Sequence, residues 1–222
     1  MYEIRLLEEE IINCRRCTRL VSWREEVARV KRKAFLDWNY WGKPVPGFGD
    51  PNAKVIAVGL APGAHGSNRT GRMFTGDGSG EFLFPILNQT GFANQPDAVK
   101  LNDGLVLKDL FISAVCRCVP PGNKPARDEI LACQDYLIKE IQLIKPKILV
   151  ALGRIAFDRM RIIFPGIKKD MAFAHGAIYP INDLQTVVCS YHPSRQNTQT
   201  GRLTKEMFTE IWAEVSSLIS EK

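Results

Sequence analysis

Short apolar segments alternate with amphipathic ones along this chain, and the alternation limits the folds that it can adopt. Strand-length apolar runs occupy residues 55–60, 110–115, 148–152 and 186–191. Apolar residues at helical spacing occupy residues 81–90, 128–144, 155–164 and 205–219. Strands that alternate with helices form parallel sheets with helices on both faces. The pattern predicts an α/β protein, a three-layer α/β/α sandwich around a central parallel sheet of four strands.

Two further helical patterns precede the first predicted strand. Ile4, Leu7 and Ile11 lie on one helical face. A second, basic helix is predicted over residues 23–36, and aromatic residues follow its basic triplet at 31–33. Such a mixture can bind phosphates and bases, but we interpret it as a solvated basic face beside core aromatics.

The length of the chain suits one hydrophobic core. Its 222 residues, 45% of them apolar, are enough for one full core and few for two, so we predict a single domain over residues 1–222. No apolar run reaches membrane-spanning length, and the first residues are acidic and amphipathic, unlike a signal peptide. We expect a cytoplasmic protein without a membrane partner.

The charge balance favours an anionic partner. Thirty Lys and Arg residues against 24 Asp and Glu residues give a formal net charge of +6. A basic surface attracts polyanions such as nucleic acid. Many basic proteins never bind nucleic acid, so the charge alone leaves both classes open.

Two unusual loops follow predicted strands, at residues 61–80 and 192–201. Functional loops of parallel sheets extend from the carboxyl ends of the strands. The first loop lies within GLAPGAHGSNRTGRMFTGDGSG, which starts at Gly59 and whose seven glycines let backbone amides approach a ligand. Its Arg69 and Arg72 are candidates for phosphate contacts. The loop matches neither the Walker nor the dinucleotide-binding motif.

The second loop is part of the sequence YHPSRQNTQTGR, which starts at Tyr191. His192 directly follows the apolar run, and Pro193 restricts its backbone, so the imidazole is a rigid hydrogen-bonding group at the sheet edge. Because the predicted topology places this histidine opposite the first loop, we interpret it as functional.

Six cysteines occur in a chain that we expect in a reducing compartment, so metal or core chemistry is favoured over disulfides. Cys14 and Cys17 form a Cys-x-x-Cys pair, which zinc knuckles and redox motifs share. Cys118 and Cys133 flank VPPGNKPARDEILA, although helix packing alone could explain Cys133. The two remaining cysteines lie within strand patterns, and we interpret them as buried free thiols: Cys116 and Cys189.

The pairing of GLAPGAHGSNRTGRMFTGD with YHPS resembles the uracil-DNA glycosylase superfamily, specifically the family 5 (UDGb) enzymes of its iron–sulfur branch, found mainly in archaea and some bacteria. The resemblance extends from Cys14 to Thr204. It implies a parallel four-stranded sheet between helices, in agreement with the strand pattern. It also implies a prokaryotic, nucleoid-associated DNA-repair enzyme. Such an enzyme flips uracil or another deaminated base out of DNA and removes it, leaving an abasic site.

The resemblance implies roles for individual residues. Four thiolates would hold one structural [4Fe-4S] cluster, with zinc as the alternative: Cys14, Cys17, Cys118 and Cys133. Asp77 would position water and stabilise the sugar cation, unless it is only a turn residue, and His192 would hydrogen-bond the departing base. Phe74 would stack on the base. The other residues expected around the base are Gly59, Ala61, Ala114 and His65, the last with a structural role as an equal alternative. Those expected to contact DNA are Arg69, Arg72, Ser194, Arg195 and Arg202.

Two positions depart from related families. Other branches carry an acidic or amide residue at the position of Leu60 to hold water, and leucine cannot do so. Family 4 relatives carry an Asn at the position of Ala114, whose amide reads uracil. Without that amide, a wrong base leaves no buried polar group unpaired. We therefore expect a broad substrate range of uracil, hydroxymethyluracil, hypoxanthine and xanthine.

Two alternatives belong to other functional classes. One is a non-catalytic nucleic-acid-binding protein with zinc at the four cysteines. The other is a small-molecule nucleoside hydrolase, against which the basic loops argue. The sequence argues against a serine hydrolase, since no G-x-S-x-G elbow follows a predicted strand. We expect a monomer that binds damaged DNA, and the sequence shows no sliding-clamp motif that we recognise.

Overall fold

The computed structural model describes residues 2–220. The strands are β1 (Phe48–Gly49), β2 (Val55–Gly59), β3 (Leu110–Ala114), β4 (Ile148–Leu152), β5 (Ile178–Pro180) and β6 (Thr186–Ser190). The helices are α1 (Tyr2–Ile12), α2 (Thr18–Val30), α3 (Ser67–Thr70), α4 (Gly78–Gln89), α5 (Arg127–Ile144), α6 (Arg154–Ile163), α7 (Arg195–Gln199) and α8 (Lys205–Ser220). None of the helices described is both long and apolar enough to cross a bilayer.

The strands form one sheet of six in the order β1-β3-β2-β4-β6-β5. β3, β2, β4 and β6 are parallel neighbours, and all of their residues are buried. These are the four strands that the sequence predicts. β1 and β5 add antiparallel pairs at the two edges. With two and three residues, they are too short to give a recognisable alternation in the sequence.

The two faces of β2 contribute to separate apolar cores. Val55 and Ala57 face the core that α4 and α8 cover, which includes Trp212. Ile56 and Val58 face the core that α1, α5 and α6 cover. Uninterrupted apolar strands are typical of parallel sheets with helices on both sides. The predicted three-layer α/β/α architecture is therefore confirmed.

Two predicted helices have boundaries that differ from the observed ones. The helix predicted over residues 23–36 is α2, which begins five residues earlier, at Thr18, and ends at Val30 because Lys31 adopts a left-handed φ of 60°. The aromatic residues after it therefore lie outside the helix. α4 begins at Gly78, three residues earlier than predicted, because the side chain of Asp77 caps it. The other predicted helices agree with α5, α6 and α8 within a residue.

The strand order places a crevice beyond the carboxyl ends of the parallel strands. The chain crosses from β2 to β3 on one side, whereas β4 lies on the other side of β2. Such a reversal opens a crevice beyond the carboxyl ends of the strands, where α/β proteins bind their ligands. The loops after β2 and β6 both begin at these carboxyl ends.

Candidate active site

A cleft of about 910 Å³ opens at the carboxyl ends of the four parallel strands. Both loops that the sequence singles out line it. The predicted site residues that it brings together are Asp77, His192, Phe74, Gly59, Ala61, Ala114, His65, Ser194, Arg195 and Arg202. Asp77 and His192 therefore face one space, although they are 115 positions apart along the chain.

One wall of the cleft consists of Gly59, Phe74 and His192. The Phe74 ring stacks on the His192 imidazole, with ring centroids 5.6 Å apart and an interplanar angle of 28°. A Cβ on Gly59 would lie 2.9 Å from Phe74 Cζ, so glycine leaves the room that the ring needs. Phe74 has a positive φ of 52°, which is strained for an aromatic residue. Such strain is typical of residues that surrounding contacts hold at functional sites.

His192 is fixed through its backbone and is neutral near pH 7. Its carbonyl accepts hydrogen bonds of 2.8 Å from Ser194 N and from Asn197 Nδ2. Burial lowers the pKa of His192 to about 4. Its Nδ1 atom is buried and has no hydrogen-bond partner among residues 2–220. A neutral imidazole has one N–H donor and one acceptor nitrogen, so His192 can donate one hydrogen bond to a bound group.

The two carboxylate oxygens of Asp77 have different surroundings. Oδ1 accepts hydrogen bonds from Ser79 N at 3.0 Å and Gly80 N at 3.2 Å, which caps α4. Oδ2 lies against two glycines of the first loop. A Cβ on Gly63 would lie 2.9 Å from Oδ2, and one on Gly66 would collide with it. The cap and the two glycines together fix the position of the carboxylate.

Burial raises the pKa of Asp77 above its ordinary value, although backbone hydrogen bonds from Gly80 and Ser79 and the charge of Arg195 oppose this shift. The carboxylate therefore takes up a proton at a higher pH than an exposed aspartate does. Any activity that needs its negative charge is lost at a correspondingly higher pH on acidification.

His65 lines the cleft and is oriented by Tyr40. The Tyr40 hydroxyl and His65 Nδ1 lie 3.0 Å apart, and the two rings meet edge to face. This hydrogen bond occupies Nδ1 and leaves Nε2 for a ligand. Burial, together with the nearby charges of Arg32 and Arg69, lowers the pKa of His65. Sequence reasoning missed Tyr40, whose one signal was its place in the aromatic stretch after α2.

A second wall of the cleft is apolar. Ala114 ends β3 next to Gly59 of β2 and is buried. Leu60 and Ala61 also line the cleft. None of these side chains has a hydrogen-bonding group, so this wall contacts a ligand through its shape and its backbone.

Arg69 and Arg72, which the sequence predicts as DNA contacts, are buried. They are 3% and 6% exposed, respectively. Arg72 forms a two-point ion pair with Asp103, with N–O distances of 2.9 and 2.7 Å. Arg69 donates hydrogen bonds to the backbone carbonyls of His65 and Gly76. Both guanidinium groups are therefore engaged with the loop itself and with Asp103.

Exposed cations surround the cleft instead. They are Arg32, Lys124, Arg154, Arg195 and Arg202. Arg195 lies across Gly78, next to Asp77, and Arg202 lies 4.6 Å from the centre of the Tyr191 ring. Sequence reasoning missed Lys124 and Arg154 as site residues. Arg154 follows the end of β4, so the carboxyl-end rule applied to the loops would have found it.

The four predicted ligand cysteines lie in one region, next to Arg24 of α2. Arg24 is 2% exposed and donates hydrogen bonds to Cys118 Sγ at 3.1 Å and to the Cys14 carbonyl at 3.3 Å. Burial raises the pKa of Cys17 to about 11, and the nearby thiols of Cys133 and Cys14 add to the shift. Two segments that are far apart in the sequence thus bring their thiols together.

All six cysteines are free thiols. Cys116 and Cys189 are buried as predicted, and Cys116 lies close to Cys133. Within residues 2–220, no three His, Cys, Asp or Glu side chains have the spacing of a single-ion metal site.

The sequence of this chain was also compared with known proteins. A sequence model of the uracil DNA glycosylase superfamily matches residues 46–216. The chain belongs to the uracil-DNA glycosylase superfamily. The match includes every strand of the parallel sheet and both loops of the cleft, so the geometry described above is that of a superfamily member.

Several relatives of this superfamily member are named type-5 uracil-DNA glycosylase. The protein from Thermus thermophilus is 50% identical over 206 residues, which cover 92% of this chain and 93% of that protein. The protein from Mycobacterium bovis is 46% identical over 208 residues, 92% of this chain and 78% of its own. The Pyrobaculum aerophilum protein is 43% identical over 201 residues, 90% and 87% of the two chains. The predicted family 5 resemblance is confirmed.

The neutral state of His192 can be tested by titration. Because burial penalises the charged imidazole, we expect its NMR ring signals to shift with a midpoint near pH 4. The unfolded chain takes up this proton first, so stability should fall as the pH drops from about 6.5 towards 4. The chain has three histidines, and His65→Gln and His175→Gln variants assign the signals. A midpoint at or above 6.5 would contradict the burial of a neutral ring.

Proposed function

We propose that this protein is a DNA glycosylase that hydrolyses the N-glycosidic bond of uracil and other deaminated bases in DNA and leaves an abasic site. The observation that carries the proposal is that Asp77 and His192 line one cleft from different loops. The names of its type-5 relatives support it. We further propose that the chain acts as a monomer of one domain, residues 1–222, on DNA in the cytoplasm.

The target nucleotide must leave the duplex to reach this cleft. A glycosidic bond inside stacked DNA is inaccessible, and extrusion costs a few kcal/mol, less for a mismatched base such as uracil opposite guanine. Phe74 supplies an aromatic face for the extruded base beside His192. The start of the second loop, residues 195–197, would occupy the space that the nucleotide leaves in the duplex.

Cleavage of the glycosidic bond separates charge. The bonding electron pair leaves with the base, while positive charge develops on the sugar. His192 donates an N–H to the departing anionic base. Asp77 Oδ2 stabilises the sugar cation and orients the water that adds to C1′, whose proton it accepts. Oδ2 takes this role because Oδ1 caps α4.

The apolar wall at Ala114 favours a broad substrate range. Specificity for one base arises when a mismatched partner leaves buried polar groups unpaired, and Ala114, Leu60 and Ala61 offer no such side-chain group. We therefore propose that hypoxanthine, hydroxymethyluracil and xanthine are substrates besides uracil. Discrimination then depends on how readily each base leaves the duplex.

The exposed cations around the cleft can pair with the phosphates of the DNA backbone. Arg32, Lys124, Arg154, Arg195 and Arg202 border the opening, where phosphates flanking an extruded nucleotide would lie. Ser194, at the start of α7, is a further candidate contact. We propose this set in place of the two buried arginines.

We also propose that Cys14, Cys17, Cys118 and Cys133 hold one [4Fe-4S] cluster. The donor set fits, since four thiolates are the usual ligands of such a cluster. The hydrogen bond from Arg24 to Cys118 Sγ suits a thiolate ligand. A cluster is larger than one ion, so its ligands need not converge on a single point. When bound, it supplies a cross-link between the N-terminal segment and the segment around α5.

The central experiment is incubation with uracil-containing duplex DNA followed by alkali, which breaks the strand at abasic sites. Wild-type protein should produce breaks. Asp77→Asn should lower the single-turnover rate by about 100- to 10,000-fold, because the variant loses the charge while its amide oxygen still caps α4. The wild-type rate should also fall on acidification with a midpoint above 3.8, since burial raises the pKa of Asp77.

The matched control is Asp97→Asn, which changes an exposed acid outside the cleft and should keep the wild-type rate. Asp77→Asn should unfold at the wild-type denaturant midpoint. Absence of alkali-sensitive breaks with the wild-type protein would reject the proposal, as would hydrolysis of free deoxyuridine in place of DNA.

Substrate range can be tested with a panel of duplexes that contain uracil, hydroxymethyluracil, hypoxanthine or xanthine. Wild-type protein should excise all four. Ala114→Asn introduces a hydrogen-bonding amide and should lower hypoxanthine excision relative to uracil by at least about tenfold. Ala114→Leu adds similar volume without hydrogen bonds and should slow all four bases together. A wild-type protein that excised uracil but not hypoxanthine would contradict a broad range.

The cluster proposal predicts a brown protein with iron and acid-labile sulfide in equal amounts. Cys118→Ala should lose colour and iron. Cys189→Ala removes a buried thiol outside the proposed ligand set and should keep both. A colourless protein that contained zinc would show that the four cysteines serve a different metal.

A further inference from the structure

Arg69 is a charged residue of the first loop that is almost fully buried. Its guanidinium carbon lies 4.0 Å from the ring centres of both Phe35 and Trp38, and the residue is 3% exposed. Burial of a charge costs free energy unless hydrogen bonds and aromatic faces compensate for the lost water. Its hydrogen bonds therefore show which parts of the loop it holds.

The guanidinium connects the two segments that enclose Asp77. Nε donates to the carbonyl of His65 at 2.7 Å, and Nη2 donates to the carbonyl of Gly76 at 2.7 Å. His65 belongs to the segment whose glycines contact Asp77 Oδ2, and Gly76 directly precedes Asp77. One side chain thus bridges the two sides of the carboxylate.

We propose that Arg69 is a positioning residue for the glycosylase reaction, which fixes Asp77 against the sugar by holding the His65 and Gly76 carbonyls at a set separation. The proposal rests on the role of Asp77 in the proposed function. Arginine suits this task because its N–H groups form a rigid planar fork, whereas a lysine ammonium is a single point of charge. Burial lowers the pKa of Arg69, and the negative charge of Asp77 opposes that shift.

The first test compares Arg69→Met and Arg69→Lys. Met keeps an apolar stem between the rings, and Lys keeps the charge, but neither can bridge both carbonyls. Each should lower the single-turnover rate by about 100-fold, the effect of a displacement of about 1 Å at a reacting group. Affinity for uracil-containing DNA should stay close to that of the wild type, because Arg69 does not contact DNA. A wild-type rate in either folded variant would overturn the proposal.

The second test is chemical rescue. Arg69→Ala leaves a space beside Phe35 and Trp38 in which a free guanidinium ion can bridge the same carbonyls. At guanidinium concentrations far below those that unfold proteins, the rate of this variant should rise. It should not rise in sodium chloride of equal ionic strength. Wild type and Asp77→Asn should show no increase. Equal rates in the two salts would overturn the proposal.

The third test separates this proposal from the function on which it rests. Hydrogen exchange of the backbone amides at residues 76–80 should be faster in Arg69→Met than in wild type, whether or not the protein excises uracil. Arg29→Met is the control. It removes an exposed arginine of α2 that pairs with Glu26, so it should keep both the excision rate and the wild-type exchange. Unchanged exchange in Arg69→Met would overturn the positioning role even if wild type is active.

Discussion

The parallel backbone pairing of β2 with its two neighbours determines where this protein can do chemistry. Gly59 at the end of β2 pairs with Ala114 at the end of β3, and the end of β4 pairs in turn with the end of β6. The carboxyl ends of the four parallel strands therefore lie side by side. The loops that carry Asp77 and His192 extend from these carboxyl ends. The strand pairing alone therefore brings the two loops together. If β2 or β6 ran in the opposite direction, Asp77 and His192 would lie at opposite ends of the strands.

The first loop obtains its shape from interactions that a solvent-exposed loop cannot make. Arg72 is paired with Asp103, Arg69 is enclosed by two aromatic rings, and Asp77 caps α4. Buried charges of this kind are costly to leave unpaired, so they favour one arrangement of the backbone. The left-handed conformation of Phe74 is held within the same arrangement. The exposed cations lie instead on the rim of the cleft, where water and phosphates can reach them.

The sequence predicted much of the fold and part of the site. Buried parallel strands produce uninterrupted apolar runs, so all four were recognised, whereas β1 and β5 are too short to leave a pattern. The place of His192 after an apolar run pointed to the cleft, and the family resemblance assigned Asp77 and Phe74 to the same cleft, which they line. Arg69 and Arg72 were misplaced because a glycine-rich stretch reads as exposed loop, while its burial depends on Phe35, Trp38 and Asp103 elsewhere in the chain. Tyr40 was missed for the same reason, since its contact with His65 spans 25 positions.

The cap at the start of α4 has a consequence for how copies of this gene can diverge. Asparagine, serine and threonine start helices nearly as well as aspartate does, so a single substitution at Asp77 removes the acid at little cost in stability. Selection for folding alone cannot protect that position. Under the proposed function, a duplicate with such a change would keep its fold and its cleft but lose excision, which offers a short evolutionary route from a glycosylase to a protein that only binds its substrate.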